Sequence, residues 1–125
     1  MAIIIPQAQT PPLDGPQPYL LRAPQDQFTD VGGFPVKPAA AVVWLVFEFR
    51  RFVASAGGPT LAVVRKAGAA DASPEDILDG DPAVYGTKVF QRVKAGVAGC
   101  DYEVTCTVDG PGGQRVPMVG LLPVR

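Results

Sequence analysis

The seven residues Tyr102-Glu103-Val104-Thr105-Cys106-Thr107-Val108 alternate apolar and polar side chains without interruption, and this limits the fold more than any other feature. A period of two is what a strand with one buried and one wet face requires. Tyr102, Val104, Cys106 and Val108 share one face, and Glu103, Thr105 and Thr107 share the other. Val89-Phe90-Gln91-Arg92-Val93 is read as a strand of the same kind. Gly-Pro-Gly-Gly at 110–113 then breaks the chain before a last apolar run. The C-terminal third therefore reads as strands joined by turns.

Further stretches extend the frame. Ala41 to Arg50 reads AVVWLVFEFR, long, apolar and β-prone. Val43, Leu45, Phe47 and Phe49 are expected to face the core, with Trp44, Val46, Glu48 and Arg50 outward. Trp44 beside Val46 is unusual for a free surface and implies cover by another part of the chain or by a partner. Arg51 to Ala56 is expected to form one helical turn, Thr60 to Lys66 a second strand, and Tyr85 to Lys94 and Asp101 to Asp109 the next pair. Val116 to Val124 closes the sheet, with Pro117 and Pro123 pushing it to an edge open for another chain. Tyr102, at the entry to its strand, is expected to bury its ring and bond its hydroxyl to backbone at the turn, a tyrosine corner. At 125 residues, 47% of them hydrophobic, the chain holds one domain with a real core. The expectation is an all-β antiparallel sandwich over residues 39–125, with Leu61, Val63 and Val89 joining the core positions above.

Residues 1–38 read as an extended arm. Eight of the fourteen prolines fall there: Pro6, Pro11, Pro12, Pro16, Pro18, Pro24, Pro35 and Pro38. Each lacks a backbone donor and fixes φ, which favours extended, polyproline-like chain over helix or central strand. Ile3, Ile4, Ile5, Leu13, Tyr19, Leu20, Leu21, Phe28 and Phe34 make the arm too apolar for a solvated linker. It either wraps its own domain or lies on neighbouring subunits, and the second is expected because a small domain offers little surface for so long a wrap. The expected partner-binding residues are Ile3, Ile4, Ile5, Tyr19, Leu20, Leu21, Phe28, Phe34 and Trp44.

Composition speaks against several chemistries. The chain has no histidine, the commonest general base and a frequent metal ligand. It has two serines, Ser55 and Ser73, and no Gly-rich phosphate loop or nucleophile elbow. No enzyme activity, catalytic residue or cofactor is expected. Cys100 and Cys106, on one extended strand, would lie roughly 20 Å apart, beyond the ~7 Å reach of a disulfide. They are expected to be free, Cys106 as a small core residue and Cys100 at a turn, and no metal site is expected. Residues 67–82 form an acidic excursion in which Ser73-Pro74-Glu75-Asp76 reads as a helix start. Its acids do not follow the spacing of an EF-hand loop, so a solvated loop is expected, with a weak divalent-cation site as the alternative. A formal charge of −1 gives no footprint for nucleic acid, and no apolar run is long enough to span a bilayer. Met1 to Pro6 lacks the features of a signal peptide, so synthesis in a cytosol is expected.

The run GVAGCDYEVTCTV from Gly96 to Val108, with the Gly-containing turn and terminal apolar strand after it, resembles the small Ig-like virion proteins of tailed bacteriophages, of the fibre–tail adaptor or tail-associated type. The strand from Trp44 to Phe49, the Gly-Gly-Pro-Thr-Leu turn at 57–61 and the β-run before Gly96 fall in a similar order. The resemblance covers residues 37–125 and not the arm; the very apolar first strand and the acidic insertion depart from the pattern. It implies an immunoglobulin-like antiparallel β-sandwich and a non-enzymatic structural role in the virion, assembled in the host cytoplasm. In that role the chain is an adaptor joining tail or neck components or fibres through its arm and sandwich edge. The implied partners are other virion proteins and copies of the chain itself, with no nucleic acid and no membrane. Two alternatives stay open: a capsid decoration (cement) protein, and a carbohydrate-binding Ig-like module using Trp44 and Tyr85.

Overall fold

The computed structural model describes residues 11–13, 15–22 and 31–125. These form eight strands: β1 (Leu20–Arg22), β2 (Val31–Gly33), β3 (Val43–Glu48), β4 (Thr60–Gly68), β5 (Ala83–Tyr85), β6 (Lys88–Val93), β7 (Cys100–Asp109) and β8 (Arg115–Pro123). One sheet runs β1-β3-β6-β5 and the other β2-β8-β7-β4. Leu45, Phe47, Val89 and Val93 of the first sheet and Val63, Tyr102, Val104, Cys106, Val108, Met118 and Leu122 of the second belong to one buried cluster. The two sheets therefore face each other across a single core.

The alternation in β7 is realised as read: Tyr102, Val104, Cys106 and Val108 are buried while the residues between them are half-exposed. Leu45, Phe47, Phe49, Val63 and Val89 are buried as expected, and Val43 and Leu61 pack at the margin of the core. The expected strand from Tyr85 to Lys94 is divided, because the chain turns at Gly86-Thr87 between β5 and β6. Beyond β3 the chain turns earlier than expected: Phe52 and Val53 N–H donate to Phe49 C=O at 2.9 and 3.1 Å, and no helical turn forms over residues 51–56. Cys100 is the buried first residue of β7 rather than a turn residue.

The sheets are mixed, not antiparallel. β1 runs parallel to β3, with Leu21 opposite Phe47, and β2 runs parallel to β8, with Gly32 opposite Gly120. Both strands come from the segment read as an arm lying on neighbours; these parts of it are edge strands of their own domain. The edge of β8 expected to stay open is filled from Val119 onward. Phe34 N–H donates to Leu121 C=O at 2.9 Å, Lys37 N–H to Pro123 C=O at 2.8 Å and Ala39 N–H to Arg125 C=O at 2.9 Å. Pro35 falls between two of these donors, where its missing N–H costs no ladder bond. Gly120 is what lets the segment come so close: a Cβ there would overlap the Phe34 ring and the Leu21 side chain.

Candidate functional site

The outer face of β3 is the first candidate. Trp44, Val46 and Glu48 point away from the core, yet Val46 is only 1% exposed. Its cover is the N-terminal segment. Leu20 lies opposite Val46 in register, and Val46 N–H donates to Tyr19 C=O at 3.0 Å. The proline-rich residues before β1 then stand off the sheet and leave a cavity of about 230 Å³. Pro12, Pro16, Gln17, Pro18 and Tyr19 line one side, and Val42, Val43, Trp44 and Val46 the other. Two polar contacts hold this wall: Gln17 Nε2–H donates to Pro12 C=O at 2.9 Å, and Tyr19 O–H to Val36 C=O at 2.8 Å. Val42, which lines the cavity, is exposed, as are Leu13, next to Pro12 in the chain, and Val36, whose carbonyl accepts from Tyr19. A half-buried Trp between prolines and valines offers an apolar, aromatic surface with few groups to fix a polar ligand.

Of the residues expected to bind partners, Tyr19 and Trp44 line this cavity and Leu20 is half-buried beside it. Leu21 and Phe34 are not available to a partner. They are 5% and 6% exposed within the chain's own core, where the Phe34 ring meets the Phe47 ring edge-on at 5.6 Å. Ile3, Ile4, Ile5 and Phe28 lie outside the described residues.

The acidic excursion is engaged in the fold more than a solvated loop would be. The Tyr102 hydroxyl accepts from Val97 N–H at 2.8 Å, the bond to backbone expected of it, and also donates to Asp71 Oδ2 at 2.6 Å. The bond from Tyr102, and then that from the Ser73 N–H, holds the Asp71 carboxyl below its ordinary range. Burial, and then the bond to Asp71, pushes the Tyr102 hydroxyl above its own. The helix start is realised as a short 3-10 turn, Pro74–Ile77, but Ser73 makes no side-chain cap. Asp79 stands 3.3 Å from Arg92 and 3.9 Å from Lys94. Among the described residues no three acidic or cysteine side chains gather where they could hold a metal.

Sequence reasoning missed Lys37, which is 1% exposed. Its ammonium donates to the carbonyls of Ala95 at 2.7 Å, Pro38 at 3.0 Å and Ala39 at 3.3 Å. Burial lowers its pKa from the usual lysine value. All three donors of the ammonium are used by the fold, so Lys37 pins the end of the N-terminal segment to the β6–β7 loop. Nothing in a Pro-Val-Lys-Pro run distinguishes it from an exposed lysine.

No protein-family model, curated protein or solved structure matches this chain.

Proposed function

We propose that this chain is a non-enzymatic structural protein of a tailed-bacteriophage virion: an immunoglobulin-like module serving as an adaptor between tail or neck components or fibres. The observation that carries this reading is the course of the N-terminal segment, which adds an edge strand to each of the two sheets. A chain built by strand addition has at hand the pairing mode by which such modules join their neighbours. The Ig-like assignment is supported by strand order. β3-β6-β5 and β8-β7-β4 run in the order B-E-D and G-F-C of that fold, and Tyr102 stands at the start of the strand that carries its tyrosine corner. β1 takes the place of strand A beside β3 but runs parallel to it, and this direction departs from that fold. A structural role is further supported by the polar side chains, since Asp71, Tyr102, Lys37, Asp79 and Arg115 each bond to another part of the fold.

Quantitative mass spectrometry of purified tailed particles from a lysate containing the chain tests the assignment. An adaptor on the tail axis should be present at on the order of ten copies per particle, as cyclic tail symmetry dictates. A count on the order of hundreds would make it a capsid decoration protein, repeated over the shell lattice. Its absence from particles would overturn the virion reading.

A further inference from the structure

β4 is the longest strand at a sheet edge among the described residues, and its two halves are treated differently. Beyond Val64 the edge is defended in ways that natural sheets use against unwanted pairing. A bulge shifts the register between Arg65 and Ala67, two cations stand in succession, and Lys66 pairs with Glu103 of β7 at 3.5 Å. The Arg65 guanidinium folds back onto the carbonyls of Gly68 and Ala69, occupying acceptors that an added strand would need. Leu61-Ala62-Val63-Val64 has none of these defences. It is uncharged, β-prone and regular in register with β7, and Val64 is 51% exposed on the outer face. Leu61, on the inner face, is only partly buried at the margin of the core.

The same sequence contains a segment of matching length and character. Ala2-Ile3-Ile4-Ile5 is uncharged and dominated by β-branched residues, and Pro6 ends any ladder it joins. We infer that Ala2–Ile5 of one copy adds as a strand to Leu61–Val64 of a second copy. In such a pairing Ile3 and Ile5 lie on one face and Ile4 on the other. Isoleucine then covers both Leu61 on the inner face and Val64 on the outer face. Donor and acceptor are different surfaces, so the contact is heterologous and propagates into a ring or a filament. This rests on the assembly role proposed above and names the site that would carry it.

The test uses the full-length chain and two surface variants. Ile4→Lys disables the donor, and Val64→Lys disables the acceptor by placing on the open half the charge that guards the other. Sedimentation of the wild type should show concentration-dependent oligomers, and each variant alone should weaken self-association about tenfold or more. A mixture of the two variants should form a one-to-one heterodimer and stop there, because each retains the half the other lacks. That heterodimer also shows that both variants are folded. A monomeric wild type, oligomers indifferent to both substitutions, or a mixture that stays monomeric would each overturn the inference. The copy number per particle is measured separately, so either proposal can fail while the other stands.

Discussion

The hydroxyl of Tyr102 lies 2.6 Å from Asp71 Oδ2 while accepting the N–H of Val97 at 2.8 Å. One oxygen thus joins the start of β7, the loop before it and the acidic excursion after β4. The ring beneath it is fully buried, so the position of the hydroxyl is set by core packing.

Replacing Tyr102 with Phe keeps the ring and removes both bonds. The Val97 N–H and the Asp71 carboxylate each lose a partner, and the loss should be ~1–3 kcal/mol by urea unfolding at neutral pH. Asp71→Asn should cost less, because an amide oxygen still accepts the hydroxyl.

The same pair fixes two limbs of the pH profile. The folded Asp71 carboxyl titrates below its unfolded value of 3.8, so its contribution is present above that pH and is lost as pH falls through the folded value. The folded Tyr102 hydroxyl titrates above its unfolded value of 10.0, so its contribution is present below that pH and declines as pH rises beyond it. Urea midpoints measured across pH should lose part of the acid limb in Asp71→Asn and part of the alkaline limb in Tyr102→Phe.

Lys37 shows the opposite alkaline behaviour. Burial lowers its folded pKa below 10.5, so the unfolded chain binds the extra proton and stability rises as pH climbs towards that value. Compared with Lys37→Met, the wild type should gain stability as pH rises towards 10.5 in the same urea assay. An unchanged difference would mean that the ammonium is as well solvated as in the unfolded chain.

Both thiols should be free and slow to react in the native protein. Cys100 and Cys106 are unpaired and fully buried, and burial pushes the Cys106 thiol up to about 12. A thiol reagent should titrate both without prior reduction once the chain is unfolded, and neither quickly before.

What the sequence revealed follows from where the information lay. Period-two alternation records which face of a strand is buried, so β7 and the inner face of β3 could be read directly. The cover over Val46 could be inferred, because an apolar side chain on an outer face needs one. β1 and β2 could not: each spans three residues, and parallel pairing to an edge is made by backbone groups that no side-chain pattern marks. Prolines nearby made an arm the natural expectation, although Pro35 sits between ladder donors without disturbing them. The burial of Leu21 and Phe34 depends on a gap at Gly120, in a strand some ninety residues away in the chain.

Gly120 supplies the sharpest check on that part of the fold. Gly120→Ala puts a methyl group where the Phe34 ring and the Leu21 side chain now pack, in a strand whose own partner β7 is untouched. Overpacking of this kind should cost ~1–3 kcal/mol. The strain should fall on the weakest neighbour, since three-residue strands have little pairing with which to resist it. Limited proteolysis should therefore cleave between residues 19 and 38 faster in Gly120→Ala, while the remainder stays protected. Phe34→Ala alone should cost ~3–5 kcal/mol as a buried aromatic deletion. In the Gly120→Ala background it should cost less, because the truncated side chain leaves room for the new methyl. If Gly120→Ala is neutral and proteolysis is unchanged, the N-terminal segment does not occupy the edge of β8 in solution. Additive costs would mean that Phe34 does not press against Gly120.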